Sequence, residues 1–439
     1  MVKNPRSSIL LFFSLVFLGA VNSALLAPHE IHLARDLRTS IFAVDLVMFL
    51  YMAVPAFFLP AWGYLCDRLG KGGRKTLLAV GAALWSLSSF VIYVAASYPV
   101  FLVARVLIGV GVIVVYPLGY SIITDLIAPR DRGKALASFL IITVLGVGMG
   151  VVFASLFGEL VWRPQFLIIG IAGLAALSAF MLFFQEPARG ASEPELMGLV
   201  GGEGACDYRI NAQKLLRILK VRTNRWLLIA KVFWRIPLGV YAFKLLPYLE
   251  MSGFDPAAKT TFALLVGSGS IFGYSLGGML GDWANGKREV GRVSVSIFSL
   301  SLAALLLLSA WLIPLSPEIW SAGTLRVVFL GFAGAVLLFV NVPNLDAIVG
   351  DVNEPEARGM LISLLNSLGW LGFGLGILGG GIGVQPTLSV YRTVLVCGTL
   401  GWFLAALCLL PIYWSVKADT ARFRQAMAQR AREMKEGRQ

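Results

Sequence analysis

Two cations, Lys231 and Arg235, stand four residues apart inside a long apolar run, with Trp234 beside Arg235. In a helix that spacing puts both on one face. A guanidinium so placed can hold a carboxylate or phosphate through two parallel hydrogen bonds. Arg105 and Lys244 are further cations within apolar runs, and the acid clearly inside a run is Asp45, while Glu159, Glu250 and Asp346 stand near run ends. Such charges cost about 2.5–3.5 kcal/mol at the centre of a bilayer on insertion scales, so they face a cavity or a partner. The Lys231 and Arg235 face therefore predicts an anionic substrate or headgroup. The competing outcome is that Lys231 and Lys244 snorkel to opposite interfaces, and Arg105 and Asp45, at similar depth, are expected to neutralise each other if they meet. Arg105, Lys231, Trp234, Arg235, Tyr116, Tyr241 and Asn341 are the candidate substrate contacts.

A second group lies near the outer end of the first apolar run, where His29, Glu30 and His32 fall within four residues. Imidazole titrates near physiological pH, so these three, with Asp45, are candidates for proton coupling; a wet helix end is the plainer alternative. No third or fourth ligand accompanies the histidines, and the four cysteines, Cys66, Cys206, Cys397 and Cys408, lack metal-ligand or CxxC spacing. No nucleotide-binding loop or nucleophile constellation is present. The expectation is a protein without cofactor or metal, and not an enzyme.

The elements that position these residues follow from composition. The 439 residues are 58% hydrophobic and 14% charged, with a mean hydropathy of +0.80, against roughly 25% charged in soluble domains. Apolar runs near the roughly 20 residues a helix needs to cross a bilayer recur at 8–31, 41–66, 76–96, 99–125, 135–158, 164–184, 226–249, 258–282, 292–314, 323–348, 360–383 and 389–414. This predicts an all-α membrane protein of twelve transmembrane helices. The first run follows Lys3 and Arg6 as a secretory leader would, but no small-residue cleavage site ends it, and it reads as helix 1. Most of the 37 Lys and Arg, and with them the net charge of +13, fall on the amino tail, the even-to-odd loops and the carboxyl tail. Both termini are then cytoplasmic, in a plasma or bacterial inner membrane, and the charge is topological and no sign of nucleic-acid binding.

The runs divide as six, a break and six. The expected organisation is a bundle over 1–184, a cytoplasmic linker over 185–225, a second bundle over 226–414 and a basic tail over 415–439. The linker carries Lys214 and Arg217 among Leu215, Leu216, Ile218 and Leu219, which reads equally as an amphipathic helix on the inner leaflet or as a solvated helix. After run 4 the chain reads Asp125-Leu-Ile-Ala-Pro129-Arg-Asp-Arg132-Gly133, and after run 10 Asp351-Val-Asn-Glu-Pro355-Glu-Ala-Arg358-Gly359, with Asp, Pro, Arg and Gly all 226 residues apart. A looser pair is Gly63-Tyr-Leu-Cys-Asp67-Arg68-Leu-Gly70 and Gly278-Met-Leu-Gly-Asp282. Two homologous halves are expected.

Gly63-x-Leu65-x-Asp67-Arg68-x-Gly70 with Arg74 and Lys75 resembles the loop 2–3 signature of the major facilitator superfamily, and Arg105-x-x-x-Gly109-x-Gly111 resembles its second signature. The resemblance implies two pseudo-symmetric six-helix bundles and a transporter working by alternating access. It also implies a gating cluster of Gly63, Asp67, Arg68, Arg74, Asp125 and Arg132, with a repeat mate of Asp282, Arg288, Asp351 and Arg358. Within the superfamily, Ala104 to Gly150 and Glu186-Pro-Ala-Arg-Gly-Ala-Ser-Glu193 look most like the Spinster-type lysolipid transporters. Where those carry an Asp-Arg pair in span 1, this chain reads Gly19-Ala-Val-Asn22-Ser-Ala.

The function expected is that of a proton-coupled secondary carrier, a symporter of an anionic amphiphile resembling a lysolipid or of a smaller organic anion, acting as a monomer among membrane lipids. Span 5 has Gly146-x-Gly148-x-Gly150 in place of the Gly-Pro pair of drug antiporters. Efflux of drugs or metabolites is the alternative, and a non-transporting receptor or assembly factor is the alternative from another class.

Overall fold

The computed structural model describes residues 5–69, 72–127, 132–157, 161–187, 219–353, 355–381 and 387–436. Among the described residues all regular structure is helical. Among the described residues twelve stretches are long and apolar enough to cross a membrane, each with both ends within five residues of those expected except the second, which ends at Leu59, and the last. Most of the expected linker, with Lys214 and Arg217, lies outside the described residues.

The chain forms two compact units. The first holds α1 (Pro5–Ala24), a single 3₁₀ turn (Ala27–His29), α2 (Glu30–Asp36), α3 (Ile41–Leu69), α4 (Gly73–Val94), α5 (Tyr98–Ile113), α6 (Val115–Leu126), α7 (Arg132–Leu156) and α8 (Pro164–Phe183). Two of its six spans are broken, and the breaks have the same cause. Proline has no N–H and its ring displaces the carbonyl four residues back. Pro28 stands four residues after Ala24, where α1 ends, and Pro117 four residues after Ile113, where α5 ends.

The second unit holds α9 (Arg222–Met251), α10 (Pro256–Lys287), α11 (Gly291–Ala310), α12 (Ala322–Val352), α13 (Pro355–Gly381) and α14 (Leu388–Glu436). α9 packs broadly on α14 and narrowly on α12, while α12 also takes α10 and α11 along its length. The last helix does not stop at 414. It continues because its next turns meet α9: Asp419 accepts hydrogen bonds from Thr223 N (2.9 Å) and Thr223 Oγ1 (2.7 Å), and Thr223 Oγ1 also pairs with Ser415 Oγ. The N-cap residue of α9, Val221, has no side-chain acceptor, so Asp419 supplies from a distance what Ser or Asp normally supplies locally.

The duplication read from the sequence reappears in the packing. Added Cβ atoms at Gly146 and Gly150 of α7 would meet the carbonyl oxygens of Phe17 (2.8 Å) and Val21 (2.4 Å) on α1. Gly372 and Gly376 of α13, each 226 residues further on, likewise face the carbonyls of Val232 and Ile236 on α9. Small residues that let backbones touch are the usual adhesive between helices in lipid, where the hydrophobic effect gives helices no reason to associate. On α10, Gly269, Gly273 and Gly277 face Phe332, Val336 and Val340 carbonyls of α12 at 2.3–2.5 Å from where a Cβ would sit. Gly273→Ala is therefore expected to cost about 1–3 kcal/mol by overpacking, read as a lower melting temperature of the purified protein. Gly278→Ala, with nothing within 4 Å of its added Cβ, should melt as the parent does; equal loss in both would remove the packing argument.

Candidate functional site

α9 brings Lys231, Trp234 and Arg235 together as their spacing predicts. Arg235 Cζ lies 4.8 Å from the ring centroid of Trp370 on α13 and 5.3 Å from that of Trp234. Lys231 Nζ lies 5.6 Å from the Trp234 ring. Gly369 of α13 packs beside both cations: a Cβ there would stand 3.5 Å from each Cγ, an ordinary contact distance. Trp234 meets Phe339 of α12 edge-on with centroids 5.7 Å apart, and Tyr274 of α10 closes on Phe339 at 5.3 Å. Tyr274 is within electrostatic reach of Arg235 and of Asp346 on α12.

The sequence places Asp346 near a run end. α12 runs on to Val352, so Asp346 stands more than a turn inside it, with Oδ1 3.7 Å from Lys231 Nζ. The Lys231 side chain is 4% exposed and that of Asp346 48%. That separation exceeds an ordinary hydrogen bond, and solvent reaches the acid, so the pair is worth nearer the ~1 kcal/mol of a surface ion pair than the several of a dry one. Tyr241, seven residues after Trp234, is occupied elsewhere: its hydroxyl pairs with Thr399 Oγ1 and accepts from Trp311 Nε1 at 2.9 Å. Asn341 is buried on α12, facing neither α9 cation through any hydrogen bond among the described residues.

Arg105 and Tyr116 belong to the first unit. Tyr116 meets Phe139 edge-on. Arg105, fully buried, closes the break in span 1: Nη2 donates to Ser23 O at 2.7 Å and Nη1 to Asn22 O at 3.2 Å, carbonyls of the last turn of α1, of which Asn22 O also accepts the Leu25 N–H at 3.4 Å. Its guanidinium lies 4.0 Å over the Tyr51 ring. Asn22 in turn donates to Ser89 Oγ at 2.7 Å, and Gln165 Nε2 donates to Leu25 O at 3.2 Å. Two charge-assisted hydrogen bonds at about 1.5–3 kcal/mol each and a desolvated cation–π contact of about 2 outweigh the insertion cost of one Arg. This accounts for Arg105 as the residue that holds span 1 in two pieces. His29, Glu30 and His32 lie on the turn and the short helix beyond that break, and α2 packs on α3, which carries Asp45. His29, Glu30 and Asp45 are buried.

Each unit also carries an arginine-centred charge cluster where an odd span begins. Arg74, 1% exposed, sits second in α4; Nη1 donates to Asp125 Oδ2 and to Ser121 Oγ, Nε donates to Glu186 Oε1 at 3.1 Å, and Nη2 donates to Pro187 O. Glu186 Oε2 also accepts Lys75 N at 2.9 Å, and Lys75 Nζ donates to the carbonyls of Met181 and Phe184 that end α8. Glu186 thus caps one helix and ties another to it, a part that hydropathy could not reveal. In the second unit Arg292 Nη1 donates to Asp351 Oδ2 and Nη2 to Asp282 Oδ1 at 2.7 Å. The sequence expectation named Arg288 here; Arg288 instead ends α10 exposed, because the C-terminal loop is three residues longer. The signal that finds the right residue is Gly73-Arg74 and Gly291-Arg292, each pair opening its helix. Gly63, Asp67 and Arg68 fall on α3, Arg132 on α7 and Arg358 on α13; their side chains lie outside the described residues.

A model of the Major Facilitator Superfamily matches residues 10–377. The chain is 28% identical over 302 residues to Protein spinster of Drosophila melanogaster, covering 65% of this chain and 48% of that protein. It is 28% identical over 322 residues to Protein spinster homolog 3 of Homo sapiens, covering 71% and 61%. The chain therefore spans about half to three fifths of those relatives. Among solved structures, a bacterial homologue of the human lysosomal transporter Spinster, inward-facing and unoccupied, superposes with a TM-score of 0.75 at 17% identity over 95% of this chain and 99% of that one. The nucleoside transporter NupG superposes with a TM-score of 0.69 at 13% identity over 94% and 99%.

Removing one partner from a buried ion pair strands the other charge, at about 3–5 kcal/mol. Arg74→Gln is expected to lose stability on that scale and Arg292→Gln, 16% exposed, somewhat less. Arg288→Gln on an exposed residue should stay within about 0.5 kcal/mol. Melting curves of the three purified variants check this ordering, and equal melting of the Arg288 and Arg292 variants would refute it.

Proposed function

Since the chain belongs to the Major Facilitator Superfamily, we propose that it is a secondary active transporter of an anionic amphiphile of lysolipid type or of a smaller organic anion, working by alternating access as a monomer and driven by protons. The observation that carries this reading is the α9 face, which brings the two cations Lys231 and Arg235 together beside the half-exposed Asp346, two cations to one acid among the described residues. Tyr274, Phe339 and Trp370, each partly exposed around the cations and over the buried Trp234, offer apolar surface to the part of an amphiphile next to its headgroup. The likeness to Spinster proteins supports the lipid side of the reading; a positive face disfavours export of cationic drugs.

The clusters around Arg74 and Arg292 are the proposed gating elements, with Asp67, Arg68, Arg132 and Arg358 as neighbours. His29, Glu30, His32 and Asp45 form the proposed proton path. Basic residues on the tails and the even-to-odd loops support cytoplasmic termini in a bacterial inner membrane.

The test is uptake into proteoliposomes of a labelled lysophospholipid and of a labelled small organic anion, with and without an imposed proton gradient. Uptake that rises with the gradient and falls at least tenfold, about 1.4 kcal/mol, in Arg235→Ala is the expected result. Movement of the small anion alone removes the lipid from the reading, and uptake indifferent to Arg235 removes the α9 site.

A further inference from the structure

The narrow contact between α9 and α12 is a ladder of side chains in antiparallel register. At the basic end Asn224 and Asn353 exchange both amide hydrogen bonds, Asn224 Nδ2 to Asn353 Oδ1 at 2.6 Å and Asn353 Nδ2 to Asn224 Oδ1 at 2.9 Å. Seven residues along each helix, two turns, comes the rung from Lys231 to Asp346 at 3.7 Å. The next is Trp234 on Phe339. The first rung is buried and saturated, and the third is an aromatic edge contact. The middle rung differs: its cation is 4% exposed while its acid is 48% exposed and held beyond hydrogen-bond length.

Asp346 thus presents a carboxylate to the same ammonium that an anionic headgroup would seek. Among the described residues the charged and titratable groups facing it are Lys231 and Arg235 from α9 and Tyr274 from α10. An anion arriving at Lys231 meets less attraction than a bare ammonium would offer, because the carboxylate repels it, and it gains the ammonium in full only by displacing that carboxylate.

We infer that Asp346 is an internal counter-anion of the α9 site, a specificity-determining residue that substrate exchanges for at Lys231. The inference rests on the anion-carrier reading above. Only a ligand whose charge and geometry outbid a nearby carboxylate gains the site, which selects for a compact, fully ionised headgroup such as a phosphate monoester or carboxylate over a zwitterion with its cation in reach. Exchange also removes the middle rung, so occupancy loosens α12 from α9 while the Asn224–Asn353 pair stays made. That is a differential interaction between states, which any ligand-driven change requires.

The experiment measures dissociation constants of radiolabelled benzoate and lysophosphatidate on the purified full-length protein, by scintillation proximity, for five forms. Wild type and Arg235→Ala establish whether an anion site exists: no binding, or binding indifferent to Arg235, sinks the anion-carrier reading itself. Given a site, Asp346→Asn should tighten binding about fivefold or more, the scale of ordinary coupling between sites. Asp346→Glu keeps the charge and reaches one methylene further toward Lys231, so it should weaken binding. In Lys231→Gln/Asp346→Asn the gain should vanish, because Asp346 acts through Lys231. Opposite shifts for Asn and Glu support the exchange. Shifts in the same direction, or none, overturn it while leaving the α9 anion site standing. Should Asp346→Asn fail to elute as a monodisperse protein, the Glu variant decides alone: unchanged or tighter binding counts against the proposal. Benzoate and lysophosphatidate separate a free organic anion from a lipid headgroup.

Discussion

Within hydrocarbon no water completes a broken hydrogen bond, so each backbone N–H and C=O must find its partner inside the protein. Pro28 and Pro117 break two spans of the first unit, and the last-turn carbonyls of Asn22 and Ser23 are bound by a guanidinium that a lipid-facing position would not tolerate. The cost of the break and the cost of the buried cation thus cancel against each other. Neither feature is explicable alone. Gln165 serves Leu25 in the same way, so the broken span depends on side chains from spans 4 and 6.

Helix ends outside the apolar stretches obey the same demand by other means. Glu186 accepts the Lys75 N–H at the start of α4 and grips Arg74, and Asp419 does the comparable service for α9. Both are carboxylates placed at the positive end of a helix dipole by a segment distant in sequence. The two units share the arginine at the second position of their third span and the glycines that bring spans 1 and 5, or 7 and 11, into backbone contact. They differ where function is proposed: Arg105 belongs to one, and the Lys231 and Arg235 pair to the other.

The spans were legible because twenty-residue apolar runs admit few other readings, and the duplication because Asp125 and Asp351 sit in matching surroundings. The α9 cations were legible from their four-residue spacing. Asp346 was not, since hydropathy ends the span at 348 while the helix continues four residues beyond; helices outlast apolar runs when polar caps hold them. Arg292 escaped because counting forward from Asp282 ignores loop length. The extension of α14 was hidden for a similar reason: Lys417 and Asp419 end the apolar run, yet Asp419 has a buried partner 196 residues away. Tyr241 and Arg105 were polar residues in spans whose partners, Thr399 and Trp311 for one and the end of α1 for the other, are set by tertiary packing.

That distant cap bears on how the chain is made. Synthesis delivers α9 before any other helix of its unit, but the acid that receives the Thr223 amide of its first turn arrives 196 residues later, after every other helix of the unit has begun. Until then the opening turn of α9 must be held by water or by lipid headgroups at the interface. The last turns of α14 therefore close the second unit as a clasp, and the order of membrane insertion and the order of tertiary completion are different orders, with long-range contacts of this separation falling at the slow end of folding.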